Sequence, residues 1–377
     1  MDFNLSDEQA MLRDSARRFV ESSYSAEQHR HLTQSADGYS PEHWAQFAEL
    51  GWLALPLPEA VSGYAFSFAD VALLMEEIGR GLVMEPFLTT AVLCARVVER
   101  SGHAGRDALL GEIAEGGRKL ALAYSEGVAA FDAAALPATT ARRDGDGFVL
   151  VGDKTLVFDA PSADALIVTA ALDGSLALFL AGANLPGVSM QRYALHDGTR
   201  AADVRFDGVR LPADALLAQG AAAVDVLEEA LDRATLARLA EAVGAMEACL
   251  QVTSAYIKER RQFGQPIGKF QALQHIMSDM FVDTQESRSM LFHGIAHIDD
   301  PDPAVRKRAV SLAKFAIGRA GHAVAAGGIQ LHGGYGVTDE YVISRYFRRL
   351  MAIEKAFGDT ADHGRRYEQL TDAFEQA

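Results

Sequence analysis

The sequence contains few of the residues on which several classes of protein depend. Cysteine occurs only at Cys94 and Cys249, with no CxxC pair, so neither a disulfide framework nor a thiolate zinc site is plausible. Basic residues are in the minority, because 35 Lys and Arg stand against 51 Asp and Glu, for a formal net charge of −16. A nucleic-acid-binding protein needs a basic excess to neutralise phosphates. We therefore expect no nucleic-acid partner.

Long apolar runs are also missing from the sequence. No run approaches the roughly 18 residues of a membrane-spanning helix, and the first residues, MDFNLSDEQAML, are acidic where a signal peptide is basic. The composition, with 49% hydrophobic and 23% charged residues, is that of an ordinary soluble globular protein. We expect a cytoplasmic protein with no membrane partner. Its 377 residues are too many for one hydrophobic core and predict two or three subdomains.

The spacing of apolar residues changes twice along the chain and predicts three domains. Residues 1–117 show helical patterns. Residues 118–221 consist of short apolar or alternating runs split by Asp-Gly turns, which is typical of β-strands. Helical spacing returns over residues 222–377. Within this last region the segment AVRKRAVSLAKFAIGRAGHAVAAGGIQ predicts a long helix that stops at Gly327 and Gly328.

Several short motifs point to common active sites only weakly. His293 and His297 are four residues apart and would share a helix face, as zinc ligands do. No Glu follows the first of them and no third ligand is obvious, so we favour a structural or surface role and predict no metal site. The segment HGGYG at 332–336 lacks the third glycine of GxGxxG and follows a helix, so it is not a Rossmann fingerprint.

A cluster of charges, aromatics and glycines interrupts the last third of the chain at residues 255–275, AYIKERRQFGQPIGKFQALQH. Its basic residues could form a solvated last turn of helix, close to the negative end of the helix dipole. That explanation does not account for Phe263 and Gly264, or for the break around Pro266 and Gly268.

Together with GGIQLHGGYGVTDEY at 327–341, this cluster resembles the acyl-CoA dehydrogenase family. Members carry Arg-x-x-Phe-Gly followed by Phe-Gln or His-Gln, and further along the chain Gln-x-x-Gly-Gly-x-Gly. Both motifs are present here, in that order, and the resemblance covers essentially the whole chain. It implies an α+β fold with an N-terminal helical domain, a middle β-barrel-like domain and a C-terminal four-helix bundle.

The resemblance implies an FAD cofactor that belongs mainly to the neighbouring subunit of a homo- or hetero-oligomer, either a dimer or a tetramer. The two motifs would hold its pyrophosphate and adenine half. A guanidinium offers a planar fork to phosphate oxygens, and glycines let backbone N–H groups approach the ligand. The matching positions are Arg260, Gln262, Phe263, Ile267, Phe270, Gln271, Gln330, Leu331, Gly333 and Gly334. Ser125 and Thr360 match positions on the flavin side.

The activity that the resemblance implies is oxidation of an acyl-CoA thioester to the trans-2-enoyl thioester. A carboxylate removes the α-proton while the β-hydrogen leaves as hydride to the flavin, and electrons then pass to an electron-transfer flavoprotein. An acyl-CoA substrate and an electron-transfer flavoprotein are therefore the implied partners.

The chain departs from the family pattern on the flavin side. Members commonly read Tyr-Glu-Gly-Thr, with the Glu as base, and here the base position is Gly358. The alternative base position, early in the helix before the first motif, aligns with Ala234. The best remaining candidate for the catalytic base is Asp359, whose pKa would be raised if it were buried. In the middle domain only Ser125 keeps a hydroxyl in register, and Phe158 stands where members carry a Thr.

These departures leave three hypotheses open. The chain is a catalytic acyl-CoA dehydrogenase that uses Asp359 as a displaced base, or a non-catalytic accessory subunit that completes a partner's FAD site. The third is other flavin chemistry, such as that of an oxidase or a monooxygenase. An intact ADP-binding half beside an eroded flavin half resembles the small subunits of heteromeric enzymes of the pimeloyl-CoA type, and we favour the heteromer.

Overall fold

The computed structural model describes residues 5–127, 132 and 134–375. The predicted order of helices, then strands, then helices is confirmed. A wholly buried π-helix, Leu88–Cys94, leads into the fifth α-helix. The α-helices before the strands are α1 (Asp7–Ser23), α2 (Ala26–Gln34), α3 (Pro41–Glu49), α4 (Phe68–Gly81), α5 (Ala95–Arg100) and α6 (Arg106–Ala114).

The strands of the middle region form one eight-stranded sheet in the described part of the chain. They are β1 (Leu120–Ala123), β2 (Thr140–Asp144), β3 (Gly147–Phe158), β4 (Ala165–Leu172), β5 (Ser175–Gly182), β6 (Val188–Ala194), β7 (Arg200–Leu211) and β8 (Leu216–Gln219). The order across the sheet is β6-β7-β3-β2-β4-β5-β8, and β1 pairs with β4 in parallel. Phe148 and Phe179 meet edge to face at 5.0 Å in its core.

The Asp-Gly segment between β2 and β3 forms the predicted hairpin turn. Asp144 pairs with Gly147 at its base, and Gly145 has a φ of +63°. Glycine adopts this left-handed conformation without the steric penalty that a Cβ brings.

The helices after the sheet are α7 (Ala221–Glu259), α8 (Gln271–His297), α9 (Pro303–His332), α10 (Ile343–Lys355) and α11 (Thr360–Glu375). The prediction that α9 stops at Gly327 and Gly328 is wrong, because both lie inside it. A Cβ on Gly328 would lie 2.8 Å from the Sγ of Cys249, so this glycine permits close helix packing. The helix ends instead at Gly333, whose φ is +59°.

The structure divides into two compact units that interleave along the sequence. One comprises Met1–His31, Phe68–Val83 and Thr235–Ala377, and the other Leu32–Ser67 and Met84–Ala234. Helices α1 and α4 therefore belong with the C-terminal helices. The boundaries 1–117, 118–221 and 222–377 stay a prediction.

Within the first unit, α4 and α7 approach backbone to backbone. A Cβ on Gly79 would lie 1.9 Å from the carbonyl oxygen of Glu241, and one on Gly244 would lie 1.8 Å from that of Glu76. No side chain fits between the two helices at this crossing, so both glycines are required sterically.

A chain of ion pairs joins α1, α4, α7 and α8 in the same unit. Arg17 pairs with Glu77 at 2.6 Å, Arg80 with Glu247 at 2.7 Å, and Arg288 with Glu76 at 2.8 Å. Because the carboxylates are largely buried, removing one partner would leave an uncompensated charge in the interior.

Candidate cofactor site

The first motif forms a shaped hairpin at the end of α7. The helix ends at Glu259, and β9 (Arg261–Gln262) pairs with β10 (Gln265–Pro266). Phe263 and Gly264 make the turn with φ values of +51° and +79°. The amide of Ile267 donates to the carbonyl oxygen of Arg260 at 2.8 Å and fixes the hairpin to the helix. Two successive residues with positive φ are the signature of a tight hairpin turn, so this segment is more than a solvated last turn.

The hairpin presents its predicted cofactor contacts to the outside of the chain. The ring of Phe263 is 90% exposed and meets Phe270 edge to face at 6.0 Å. Arg260 is exposed, and its guanidinium has no ion-pair partner among the described residues. Gln262 and Gln271 are also exposed, and Ile267 is half-buried. An exposed aromatic ring beside an unpaired cation suits contact with another molecule.

The second motif supplies an open glycine turn at the end of α9. Gly333 has φ +59° and ψ −141°, a conformation that essentially only glycine adopts. Gly334 is exposed, and no atom lies within 4 Å of the Cβ position of either glycine. Among the described residues no packing contact accounts for the glycine at position 334, whereas close approach of a ligand to the main chain would account for it. Gln330 is exposed and Leu331 is buried beneath the turn.

The two motifs are brought together by Tyr256 on α7 and His332 on α9. Their rings stack at 4.3 Å with an interplanar angle of 27°. Arg260 follows Tyr256 by one helical turn, and Gly333 follows His332 directly. A cation, an exposed ring and an open glycine turn therefore lie in one region, and this combination fits the pyrophosphate and adenine of an FAD.

The segment at 356–360, where members of the family carry their base, is a tight turn between α10 and α11. Phe357 is buried with φ +57°, and Gly358 has φ +88°. The ammonium of Lys314, fully buried, donates to the carbonyl oxygens of Ile353 at 2.7 Å and Ala356 at 2.9 Å. Burial lowers the pKa of Lys314 to about 7.

Asp359 is a helix cap in this turn. Its Oδ1 accepts from the amides of Ala361 at 2.9 Å and Asp362 at 3.0 Å, and its Oδ2 accepts from Lys355 Nζ at 3.1 Å. The hydrogen bond from the amide of Asp362, together with Lys355, lowers the pKa of Asp359, so the burial on which a raised pKa depended is not found. Its side chain is 32% exposed, and burial is too slight to reverse the effect. Its role as base stays a prediction.

The hydroxyl of Thr360, predicted on the flavin side, donates to Glu354 Oε1 at 2.8 Å. The amide of Thr360 donates to the same oxygen at 3.1 Å. Thr360 is therefore part of the hydrogen-bonded turn, and its predicted contact with the cofactor stays a prediction.

Glu126 and Lys154 form an ion pair, with the lysine buried and the glutamate half-buried, that the sequence pattern did not predict. Lys154 Nζ donates to Glu126 Oε1 at 2.6 Å and to Thr169 Oγ1 at 2.8 Å, and its side chain is fully buried. Burial raises the pKa of Glu126, but hydrogen bonds from Lys154 and Thr139 outweigh burial and hold it at about 2. Burial lowers the pKa of Lys154 to about 8. The pair fixes the segment that carries Ser125, a half-buried residue.

The end of β3 carries a bulge just before Phe158. Leu156 has φ +52°, and its amide donates to Asp203 Oδ1 at 3.0 Å. The hydroxyl of Tyr193 donates to the same oxygen at 2.7 Å. A left-handed leucine is strained and persists because Asp203 holds it. In α7, Ala234 is fully buried and offers no polar group.

Metal ligands do not converge in the described part of the chain, where no group of three or more His, Cys, Asp or Glu side chains could hold an ion. His293 and His297 contact each other edge to face at 4.9 Å on α8. No helix in the described ranges is long and apolar enough to cross a membrane.

Comparison with known proteins identifies the family. The chain matches the acyl-CoA dehydrogenase N-terminal domain over residues 6–117, the middle domain over 121–209 and the C-terminal domain over 224–365. The chain belongs to the acyl-CoA dehydrogenase family, whose members are FAD-dependent flavoprotein oxidoreductases.

Relatives and solved structures match over nearly the full length. IpdE2, an acyl-CoA dehydrogenase of Mycolicibacterium smegmatis, is 31% identical over 97% of this chain and 99% of its own. FadE27 of Mycobacterium tuberculosis is 28% identical over 97% of each chain. A variant of the Tcur3481-Tcur3483 steroid ACAD superposes with a TM-score of 0.89 at 30% identity, covering 98% of this chain and 99% of that one.

Two further solved structures also match the chain over nearly its full length. The ChsE4-ChsE5 complex from Mycobacterium tuberculosis matches with a TM-score of 0.89 at 27% identity, over 99% of each chain. A structure described as the electron transferring flavoprotein of Acidaminococcus fermentans contains a chain that matches with a TM-score of 0.89 at 26% identity, over 98% of this chain and 99% of that one.

Proposed function

We propose that this chain is one subunit of a heteromeric FAD-dependent acyl-CoA dehydrogenase. In this proposal it supplies the adenine and pyrophosphate contacts to an FAD held mainly by a related subunit. The observation that carries the proposal is an asymmetry. Arg260, Phe263 and Gly334 are exposed and free to contact a ligand, whereas the two base positions are Gly358 and Ala234.

Bound FAD supplies the hydride acceptor for desaturation of an acyl-CoA thioester. The residues of this chain would bind and orient it: Arg260 would neutralise phosphate charge, and the turn at Gly333 and Gly334, which lacks side chains, would let the phosphates approach the main chain closely. Neither Gly358 nor Ala234 can accept a proton. General-base catalysis typically contributes about 10²- to 10⁴-fold, so a subunit without a base should be slow by itself.

The turn at Gly358 supports an accessory role further. The nearest carboxylate, Asp359, is engaged by two backbone amides and an ammonium group. These hydrogen bonds lower its pKa, and a carboxylate with a lowered pKa is a weaker base. A second candidate, catalysis by Asp359 in this chain alone, rests only on its adjacency to the base position.

The names of similar proteins support the proposed partners. Two neighbours are named as pairs, ChsE4-ChsE5 and Tcur3481-Tcur3483, and a third structure is named for an electron-transferring flavoprotein. We propose a related subunit and an electron-transfer flavoprotein as partners of this chain. A steroid acyl-CoA, supported by the name of the Tcur3481-Tcur3483 enzyme, and pimeloyl-CoA, suggested by the sequence resemblance, are the first substrates to test.

The test is to purify the chain alone and together with the product of a related neighbouring gene. Flavin absorbance and its bleaching by acyl-CoA are measured for both preparations, with oxygen consumption as a check for oxidase chemistry. We expect rapid bleaching only for the pair. Rapid bleaching by the lone chain that is abolished by Asp359→Asn, but kept by the control Asp362→Asn, would overturn the accessory role and make Asp359 the base.

A further inference from the structure

Four aromatic side chains form a cluster between the two cofactor motifs. Besides the stack of Tyr256 on His332, Tyr341 lies 5.0 Å from His332 and 4.5 Å from Tyr335, centroid to centroid. Tyr335 also faces Tyr256 at 6.3 Å. Aromatic pairs at these separations attract each other beyond simple burial of area. The cluster therefore joins the end of α7 to the turn after α9.

The imidazole of His332 is fixed in one orientation. Its Nδ1 lies 2.8 Å from the carbonyl oxygen of Gly328, which can only accept, so Nδ1 carries the proton and donates. The ring is 4% exposed, and burial lowers the pKa of His332. His332 is thus a neutral flat ring, held by its own helix, against which Tyr256 can stack.

Tyr256 is tied in turn to the hairpin. The amide of Arg260 donates to the carbonyl oxygen of Tyr256 at 2.8 Å. The carbonyl oxygen of the next residue, Ile257, packs against Gly268, just after the hairpin. A Cβ on Gly268 would lie only 3.0 Å from this oxygen. A shift of the last turn of α7 would therefore carry Arg260 and the hairpin with it.

A diphosphate needs the cation and the glycine turn at a fixed spacing, because the charge-assisted hydrogen bonds from the guanidinium weaken steeply with distance and angle. We propose that Tyr256 and His332 are positioning residues whose stack sets the spacing between Arg260 and the turn at Gly333 and Gly334, and so the affinity for a nucleotide diphosphate. This inference rests on the proposed binding of FAD by these two motifs.

The variants come in matched pairs. Tyr256→Phe and His332→Phe keep a ring at each position, whereas Tyr256→Leu and His332→Leu remove it. Phe315→Leu is the control, since Phe315 is a half-buried ring in the same unit, outside both motifs. Each variant is made in the assembled, FAD-binding oligomer, and the dissociation constants of FAD, ADP and FMN are measured on the apoprotein, together with its thermal midpoint.

We expect the leucine variants to weaken FAD and ADP binding by about two- to tenfold, the range that corresponds to loss of one aromatic pair. FMN, which lacks the adenylate half, should bind unchanged, and the phenylalanine variants should retain affinity. If the two residues had a merely structural role, the leucine variants would weaken the binding of all three ligands. Phe315→Leu would then weaken it to the same extent.

Two results would overturn the inference: unchanged FAD and ADP affinity in Tyr256→Leu and His332→Leu, or equal losses for FMN and ADP. If the wild-type oligomer binds neither FAD nor ADP, the proposed function itself fails. If the wild type binds both and the leucine variants behave as wild type, the proposed function stands and the positioning role fails.

Discussion

Asp359 and Asp362 cap each other across the first turn of α11. The amide of Asp362 donates to Asp359 Oδ1 and the amide of Asp359 donates to Asp362 Oδ2, both at 3.0 Å. This reciprocal arrangement is the geometry of a capping box, with a second Asp in place of the usual Glu or Gln. It gives the carboxylate next to the family base position a structural role in this chain.

The first prediction concerns that cap. Asp359→Ala should lower the free energy of unfolding by about 0.5–2 kcal/mol, because two amides lose their acceptor, and Asp359→Asn should cost less. Denaturant unfolding of both variants measures the effect. Glu368→Ala, an exposed carboxylate on the same helix, is the control for lost charge. An Asp359→Ala protein as stable as this control would contradict the capping role.

The second prediction concerns Gly358. Replacing it with Glu restores the residue type of the family base, but φ of +88° is a left-handed conformation that disfavours side chains. We expect Gly358→Glu to lower the free energy of unfolding by about 1–2 kcal/mol. Gly358→Asn should cost less, because asparagine tolerates left-handed backbone better. If both variants unfold at the wild-type denaturant concentration, the turn is not strained by a side chain.

The turns within the two predicted motifs could be anticipated from the sequence because their glycines meet local backbone requirements, whereas the cofactor contacts of the motifs stay a prediction. Gly264 and Gly333 have positive φ, and a positive φ favours glycine whatever the packing around it. Glycine inside α9 is ambiguous, however. Gly328 admits the Sγ of Cys249, from a different helix, and nothing in its local sequence separates that role from helix termination.

The ion pair of Glu126 and Lys154 could not be predicted for a related reason. The two residues are 28 positions apart and meet only because β3 and the segment after β1 are packed in the same unit. Apolar spacing describes which face of a strand is buried, but a lysine among apolar residues gives no indication of its partner. The grouping of α4 with α7 also depends on contacts between residues distant in sequence.

The third prediction is a pH dependence that follows from Glu126. Its pKa in the folded protein is about 2, below the ordinary value of 4.5. The stabilisation of the fold by ionised Glu126 is therefore fully present above pH 4.5 and is lost as the pH falls towards 2. Glu126→Gln should be less stable than wild type at neutral pH, and the difference should shrink below pH 4.5.

Denaturant unfolding of both proteins across this pH range measures the difference. Asp203→Asn is the control, since it removes another carboxylate of the same sheet that accepts a main-chain hydrogen bond but lies outside the pair with Lys154. If the difference in the free energy of unfolding between wild type and Glu126→Gln stays constant down to pH 3, the assignment of a pKa of about 2 to Glu126 is contradicted.

The fourth prediction concerns the binding of the FAD pyrophosphate by Arg260. Arg260→Ala should lower FAD occupancy of the assembled oligomer, because a phosphate would lose a charge-assisted partner worth about 1.5–3 kcal/mol, or about 10- to 150-fold in affinity. Flavin absorbance per protein at low free FAD measures occupancy.

Arg261→Ala is the matched control, since Arg261 is the adjacent exposed arginine, equally unpaired among the described residues and outside the family motif. If Arg260→Ala keeps the wild-type flavin content, or Arg261→Ala loses as much, the assignment of Arg260 to the pyrophosphate is wrong. A loss confined to Arg260→Ala would show that position along the hairpin, and not net positive charge, determines binding.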